Sequence, residues 1–528
     1  MKSRPIDNGG GNRGIHSAAG GVLALILAAA TLYPVATRAD SGPVVQTTSG
    51  AVSGIDGDIR VFKGIPYAAP PIGSLRWRPP QPPAAWLGVR DATRFGNDCM
   101  QSPWVISSGQ QTSEDCLTVN VWTPVHGRGT PRAVMVFFYG GAFLGGTAAY
   151  PLYDGAKLAA DGVVVVSFNY RVGVFGFLAH PGLSAESPQG TSGNYGLLDQ
   201  IAALTWVKAN IAAFGGDRMR VTAFGESAGA ISIAMLMTSP LGKDLFERAI
   251  LQSPALAPLP DRAAAEHDGA AIAADIGVLR ALTAEQLLAN NGNFFPRGGR
   301  TLLGAFPSPI VDGYVIPRQP RSVFQRGDAQ RIATLVGNNA DEGRMFLAPH
   351  LLVSVADYQA WVRAKFGPLG PELLTLNPAA SDAEALAAKS ALTGDVVFNE
   401  SVRLIARGMS RHQPKTFSYV FTRSVGGHPP PPTHSEELPF VFGSLDQPSH
   451  VAHPAAGPAD EALSKTLMRA WTRFAMTGDP NGRSLPHWPN YDAATDPYLE
   501  LGDVIRPSRG YRKAQLDVIT RWYAEGGT

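Results

Sequence analysis

The sequence has 528 residues, of which 45% are hydrophobic and only 17% are charged, and this composition excludes an intrinsically disordered chain. The formal net charge is +2 at pH 7, but residues 1–39 contain four basic residues and one acidic residue. The rest of the chain therefore has a net charge of about −1, which gives no electrostatic reason to expect a nucleic acid or an anionic membrane as a partner.

The N-terminal segment has the pattern of a secretory signal. Three basic residues precede an apolar run at residues 20–33, and small residues follow near Ala39. The run is shorter than the roughly 20 residues of a membrane-spanning helix, so an uncleaved anchor is the less favoured alternative. The pattern predicts that residues 1–39 are a cleavable signal peptide and that the mature chain, which has no membrane span, is secreted or periplasmic.

The two cysteines of the sequence are Cys99 and Cys116. Two cysteines this close in an exported chain predict one disulfide bond that closes a short loop. Two unpaired thiols are the alternative. The cysteines are too few for a zinc site, and we expect no metal.

Strand and helix patterns alternate along the chain. Leu- and Ala-rich segments with helical spacing lie at residues 197–211 and 228–237. Alternation of strands and helices predicts an α/β fold with a mostly parallel sheet covered by helices on both faces, and we expect residues 40–528 to form one large domain. The predicted buried strands are apolar, β-branched runs bounded by turns at residues 133–138, 163–168, 220–224, 248–251, 332–336 and 416–421.

A Gly-x-Ser-x-Gly motif centred on Ser227 joins a predicted strand to a predicted helix. Gly225 and Gly229 stand two residues before and two residues after the serine. This is the pattern of a nucleophile elbow, in which a side chain at either glycine would clash as the strand turns into the helix. An ordinary turn is the alternative, but the strand before the motif and the helix after it favour the elbow.

A second glycine-rich segment follows the first strong strand, at residues 139–143. Small residues there let backbone N–H groups approach a substrate oxygen, so Gly141, Ala142 and Ala228 are the candidate oxyanion-hole donors. The segment lacks the G-x-G-x-x-G spacing of a dinucleotide site, and we expect no organic cofactor.

Serine chemistry also needs a base and an acid, which follow the serine in chain order in folds with this elbow. Asp341 and Glu342 both follow the strand predicted at residues 332–336, and the residues alone do not choose between them. His428 and His434 both follow the strand predicted at residues 416–421, and the residues alone do not show which of the two is the base.

Two longer segments resemble the signature segments of the type-B carboxylesterase family, the cholinesterase-like α/β hydrolases. The first is residues 114–124, and the second is residues 214–229, which include the elbow. The resemblance extends from about Val44 to about Gly502. It implies the α/β-hydrolase fold for nearly the whole mature chain.

Carried over residue by residue, the resemblance assigns the alternatives left open above. The family nucleophile falls on Ser227, the acid on Glu342 and the base on His434, and Ser253 matches a serine that supports the acid. Pro254 follows Ser253 where the family often has glycine. The family's oxyanion donors and its short disulfide fall on Gly141, Ala142, Ala228, Cys99 and Cys116.

The resemblance gives two weaker indications about the substrate pocket. Trp104 lies inside the loop closed by the cysteines, where cholinesterases hold a cation-binding tryptophan, although packing is the favoured role here. Residues 302–309 correspond to a wall of the acyl pocket, and the small Gly304 and Ala305 indicate room for a bulky acyl group.

The resemblance implies a serine carboxylic ester hydrolase that acts through an acyl-enzyme on small to medium esters, including bulky or polycarboxylic ones. Residues 177–181, 250–254 and 337–344 are also similar to bacterial fumonisin esterases, which release tricarballylic side chains. The alternatives are a non-catalytic binding homologue, or a lipase, amidase or lactonase with the same triad. The expected partner is a small-molecule ester, and the sequence leaves the oligomeric state open.

Overall fold

The computed structural model describes residues 42–101, 108–125, 129–289, 308–347, 352–427, 430–448, 454–483 and 486–527. The predicted signal peptide at residues 1–39 lies outside these ranges. Trp104, Gly304, Ala305 and His428 also lie outside them.

Fifteen strands occur in the described residues. In chain order they are β1 (Val44–Gln46), β2 (Ala51–Ser53), β3 (Ile59–Pro66), β4 (Val89–Asp91), β5 (Asp98–Cys99), β6 (Thr112–Ser113), β7 (Thr118–Pro124), β8 (Arg132–Phe138), β9 (Val164–Phe168), β10 (Gly216–Glu226), β11 (Arg248–Gln252), β12 (Ala333–Asn339), β13 (Thr416–Phe421), β14 (Pro497–Leu501) and β15 (Arg506–Arg509).

Ten of these strands form the central sheet, in the spatial order β15-β14-β13-β12-β11-β10-β8-β9-β7-β3. The seven strands from β14 to β9 run parallel, and β15, β7 and β3 pair antiparallel at the two edges. β1, β2 and β4 form a small separate sheet, and β5 pairs with β6.

The α-helices of the described residues are α1 (Ala156–Ala160), α2 (Gly173–Phe177), α3 (Pro181–Glu186), α4 (Tyr195–Asn210), α5 (Ala228–Thr238), α6 (Arg262–Ile272), α7 (Ile276–Ala281), α8 (Ala284–Ala289), α9 (Pro320–Arg326), α10 (Val355–Phe366), α11 (Gly370–Leu376), α12 (Asp382–Gly394), α13 (Glu400–Ser410), α14 (Leu438–Phe442), α15 (Pro458–Thr477) and α16 (Lys513–Ala524). A π-helical turn, Asp395–Asn399, joins α12 to α13. No helix in the ranges that the structure covers is both long enough and apolar enough to cross a bilayer.

Helices cover both faces of the central sheet. α9 packs against both α5 and α13, with α5 on β8, β10 and β11 and α13 on β12 and β13. α15 packs on β8 and β10, and α14 packs against α15. A second apolar core lies among α10, α11, α12 and α16.

The predicted α/β fold is confirmed, and each predicted strand is present. β10 begins at Gly216, earlier than predicted. The sequence pattern missed this part of the strand because residues 217–219 are exposed or partly exposed and do not form an apolar run. The sequence pattern also missed the antiparallel edge strands β3, β7 and β15, and the parallel strand β14.

The topology brings the predicted site residues together at the carboxyl ends of the parallel strands. β8, β10, β11, β12 and β13 are consecutive neighbours, and all five run parallel with their carboxyl ends together. Gly141, Ser227, Ser253, Glu342 and His434 follow these five strands in that order. Ligands of open α/β sheets bind outside the carboxyl ends of the strands.

Candidate active site

Ser227 stands between β10 and α5 in a strained backbone conformation, with φ 53° and ψ −125°. The flanking glycines explain why the turn forms. A Cβ on Gly229 would lie 1.9 Å from the carbonyl oxygen of Phe138, and one on Gly225 would lie 2.7 Å from the same oxygen. The motif therefore has the elbow geometry, because β10 and α5 can both approach Phe138 of β8 this closely only without side chains at these two positions.

His434 is buried and contacts the carboxylate of Glu342. His434 Nδ1 lies 2.6 Å from Glu342 Oε2. The other oxygen of Glu342 accepts hydrogen bonds from the Ser253 hydroxyl at 2.5 Å and from the Asn339 N–H at 2.6 Å. The carboxylate is thus fixed on both sides, and it holds one edge of the imidazole ring.

Asp341, the other carboxylate that the sequence left open, has different partners. Its Oδ1 accepts from the Ser390 hydroxyl at 2.6 Å, and its Oδ2 pairs with Arg344 Nε at 2.6 Å. The structure therefore brings Glu342, and not Asp341, to His434.

A second carboxylate, missed by the sequence analysis, lies on the other side of the imidazole. Glu226 Oε1 is 3.1 Å from His434 Nε2 and accepts a hydrogen bond from the Ser435 hydroxyl at 2.5 Å. Glu226 occupies the unspecified position of the elbow motif just before Ser227. An acidic residue at the end of the buried apolar strand was the available signal, because such a group is rarely buried without a partner.

The carboxylates around His434 perturb one another. Burial by itself would lower the pKa of His434, but the charges of Glu226 and Glu342 outweigh it and raise that pKa from 6.5 to about 9. Burial raises the pKa of Glu226 above its usual range. It also raises the pKa of Glu437, which accepts hydrogen bonds from Gln252 and Asn339. The carboxylates therefore favour the protonated form of the imidazole, while burial favours the neutral form of each carboxyl group.

The glycine-rich loop after β8 lies directly against the elbow. A Cβ on Gly140 would be 2.7 Å from Glu226 Oε2 and 3.0 Å from Ser227 Cβ. Gly141, Ala142 and Phe143 all have positive φ, at 116°, 55° and 61°. Within the described ranges, the N–H groups of Gly141 and Ala142 donate to no other protein atom, so both are available to a ligand oxygen.

The segment that contains the disulfide is hydrogen-bonded to the residues that follow this loop. Cys99 and Cys116 are bonded to each other, so the predicted pairing is confirmed. Gln101, two residues after Cys99, accepts from the Gly146 N–H at 2.7 Å and donates to the Gly146 carbonyl at 2.8 Å. These contacts tie the base of the disulfide loop to the glycine-rich segment.

Apolar side chains surround the serine and the histidine. Phe143, Ala228 and Phe398 belong to one buried cluster, against which Phe346 packs. Among the residues that the structure describes, no group of three or more His, Cys, Asp or Glu side chains is arranged to hold a metal ion. What the arrangement offers chemically is a hydroxyl, an imidazole, carboxylates and backbone donors in an apolar setting.

Comparisons with known proteins identify the family of the chain. A sequence model of the carboxylesterase family matches residues 41–367 and 369–519. A fumonisin B1 esterase of Sphingopyxis macrogoltabida is 44% identical over 472 residues, which cover 88% of this chain and 87% of the relative. A para-nitrobenzyl esterase of Bacillus subtilis (strain 168) is 37% identical over 484 residues, which cover 88% of this chain and 95% of the relative. A solved structure of a PNB esterase has a TM-score of 0.80 and 34% identity, and the match covers 91% of this chain and 99% of that one.

Proposed function

The chain belongs to the carboxylesterase family and is a serine carboxylesterase, and we propose that Ser227, His434 and Glu342 carry out its reaction. The observation that supports this assignment best is the hydrogen-bonded pair of His434 and Glu342, which lies at the carboxyl ends of the strands, where the elbow also places Ser227. A serine needs such a base because its hydroxyl is a weak nucleophile.

In the first half of the proposed reaction, His434 accepts the hydroxyl proton of Ser227 as the serine oxygen attacks the ester carbonyl carbon. The N–H groups of Gly141, Ala142 and Ala228 bind the resulting oxyanion. Glu342 orients the imidazole and stabilises its protonated form. The tetrahedral intermediate collapses to an acyl-enzyme, and His434 gives its proton to the departing alcohol.

Water completes the reaction. His434 removes a proton from a water molecule, whose oxygen attacks the acyl carbon, and the same three N–H groups bind the second oxyanion. Collapse of this intermediate releases the carboxylic acid and returns the proton to Ser227.

The test is hydrolysis of p-nitrophenyl esters of increasing acyl length by the wild-type chain and by Ser227→Ala. We expect the substitution to abolish turnover without a change in melting temperature. Ser410→Ala is the matched control, because Ser410 ends α13 shortly before the amino end of β13. This variant should retain wild-type activity. Turnover by Ser227→Ala at the wild-type rate would disprove the assignment of the nucleophile.

Polycarboxylic esters are the substrates that we propose. The support is the 44% identity to a protein named fumonisin B1 esterase, together with the similarity of residues 337–344, which contain Glu342, to such enzymes. We expect the chain to release tricarballylate from fumonisin B1 with a higher kcat/KM than it shows for p-nitrophenyl butyrate. A lower kcat/KM for fumonisin B1 would leave the esterase chemistry intact and reject this substrate class.

We also propose that residues 1–39 are removed during export and that residues 40–528 form the single mature domain. The family match from residue 41 to residue 519 and the Cys99–Cys116 disulfide support this division. Expression of the full chain in a bacterium, followed by N-terminal sequencing of the periplasmic and medium fractions, should give a mature chain that begins near Asp40. An intact N-terminus in the cytoplasmic fraction alone would contradict it.

A further inference from the structure

The π-helical turn Asp395–Asn399 interrupts an otherwise continuous helix formed by α12 and α13. The N–H of Glu400 donates to the carbonyl of Asp395, five residues earlier. A π-helical turn is rare because it packs one extra residue into the helix, and it occurs frequently at functional sites. The extra residue changes the direction in which the following side chains point.

Phe398, within this turn, packs on the ring of His434. The two ring centroids are 4.5 Å apart with an interplanar angle of 34°. Phe346 approaches the same imidazole at 5.2 Å and contacts Phe398 at 5.3 Å. Phe398 is fully buried, so it closes one side of the imidazole to water.

The C-terminal helix holds the π-helical turn at two points. Arg512, which precedes α16, pairs with the buried carboxylate of Asp395 through contacts of 2.6 Å and 2.5 Å. The Tyr523 hydroxyl, near the end of α16, donates to the carbonyl of Val396 at 2.9 Å. Both partners lie inside the turn: Arg512 bonds the side chain of Asp395, and Tyr523 supplies a donor to the backbone carbonyl of Val396.

A third contact fixes the end of the turn. Arg321 on α9 makes a two-point ion pair with Glu400, with both contacts at 2.6 Å. The guanidinium of Arg321 also lies 3.7 Å from the ring centroid of Tyr523. Contacts of this kind fix direction as well as distance, so the turn is held from α9 and from the C-terminal helix together.

We propose that the C-terminal helix positions His434: Arg512 and Tyr523 hold the π-helical turn, and the turn holds Phe398 against the imidazole ring. This inference rests on the proposed role of His434 as the base. Phe398 is a positioning residue, because its contact with the imidazole does not involve a reacting nitrogen. The helix lies outside the elbow and the strand ends, and the Tyr523–Val396 hydrogen bond is one contact that links it to the turn.

The first consequence is a lower kcat when Phe398 loses its ring. Phe398→Leu leaves a gap beside the imidazole, and a displacement of about 1 Å from the reacting geometry costs up to 10²-fold in rate. We expect kcat for p-nitrophenyl acetate to fall about 10- to 100-fold while KM changes less than about twofold.

The second consequence is a shift of the pH profile. Three buried carboxylates, Glu226, Glu342 and Glu437, raise the pKa of His434 against the effect of burial. Water admitted by Phe398→Leu screens these charges and moves the pKa towards 6.5. The acid limb of kcat/KM should therefore move to lower pH, which a simple loss of folded protein would not produce.

The test of the coupling uses Tyr523→Phe, which removes only the hydroxyl that donates to Val396. Arg521→Ala is the matched control on the same helix, because Arg521 pairs with Glu372 in a largely exposed ion pair away from the turn. We expect Tyr523→Phe to lower kcat about threefold to tenfold without a change in KM, and Arg521→Ala to leave kcat unchanged.

The double variant Tyr523→Phe/Phe398→Leu tests whether Tyr523 affects kcat through the ring of Phe398. We expect it to be no slower than Phe398→Leu alone, because the turn has no further effect once the ring is gone. A wild-type kcat and acid limb in Phe398→Leu, or fully additive losses in the double variant, would overturn the proposal. If Phe398→Leu does not fold, a wild-type kcat in Tyr523→Phe overturns it alone.

His434→Ala separates this inference from the proposed function. Full activity in His434→Ala would reject His434 as the base, and the inference with it. An inactive His434→Ala beside a fully active Phe398→Leu would reject the inference alone.

Discussion

Ser227 and His434 both lie at the carboxyl ends of the parallel strands, but they are held in different ways. The backbone holds Ser227: β10 ends one residue before it, α5 begins one residue after it, and its N–H donates to the carbonyl of Gln252. Side chains from separate segments hold His434, among them Glu342, Glu226 and Phe398. The nucleophile is thus fixed by local geometry and the base by tertiary contacts.

This difference predicts two kinds of sensitivity to substitution. At Ser227 the vulnerable positions are the glycines, because added atoms there meet backbone atoms that cannot move separately from the sheet. At His434 the vulnerable positions are charged or aromatic neighbours, whose replacement leaves the backbone in place and changes the charge or orientation of the imidazole.

The largest effect is expected from Gly229→Ala, which tests the nucleophile side. The new Cβ would lie 1.9 Å from the Phe138 carbonyl oxygen and 2.6 Å from its carbon, so α5 and β8 must separate. We expect no measurable hydrolysis of p-nitrophenyl acetate and a lower melting temperature. Gly457→Ala is the control, because its Cβ would lie 3.8 Å from the nearest atom, Asp460 Oδ2. A fully active Gly229→Ala would show that the elbow is not fixed by backbone contacts.

Glu342→Gln tests the histidine side and should leave the fold intact. The amide occupies the same volume, but it has no charge and its NH₂ group favours the wrong tautomer of His434. We expect kcat to fall about 10³- to 10⁴-fold with an unchanged melting temperature. Asp341→Asn is the matched control, since Asp341 pairs with Ser390 and Arg344, and it should keep kcat within about threefold. Equal losses in the two variants would mean that the adjacent carboxylates are not distinguished as the contacts indicate.

The nucleophile side was predictable from sequence because its geometry is local. The strand, the two glycines and the following helix are consecutive, so residues 220–237 alone predicted β10, the turn and α5. The same holds for the glycine-rich loop, where Gly141 follows directly on a recognisable buried strand. Topology then places the two segments together, because β8 and β10 are neighbours.

The histidine side was not predictable in the same way. Asp341 and Glu342 are adjacent in sequence, and only their partners distinguish them, so the resemblance to a known family was needed to choose. Glu226 was missed because the elbow motif does not specify its position. The π-helical turn that contains Phe398 was also missed, because its stabilising partner Tyr523 is 127 residues away along the chain.

The smallest expected effect comes from Glu226→Gln, which separates the charge of Glu226 from its volume. The amide oxygen can still accept from Ser435, so the loop that carries His434 keeps its contact. The negative charge 3.1 Å from His434 Nε2 raises the pKa of His434, so its removal lowers that pKa. Because a protonated His434 cannot act as a base, the acid limb of kcat/KM should move down by roughly one pH unit.

The rate above the acid limb should fall only a few-fold in this variant, because Glu342 still orients and stabilises the imidazole. Ser435→Ala is the companion variant: the Ser435 hydroxyl lowers the pKa of Glu226, so its loss raises that pKa and should move the acid limb in the same direction as Glu226→Gln, by a smaller amount. An unmoved acid limb in Glu226→Gln would mean that Glu226 is protonated throughout the working range, as its own burial favours. The rise in the pKa of His434 would then come from Glu342 and Glu437, without a contribution from Glu226.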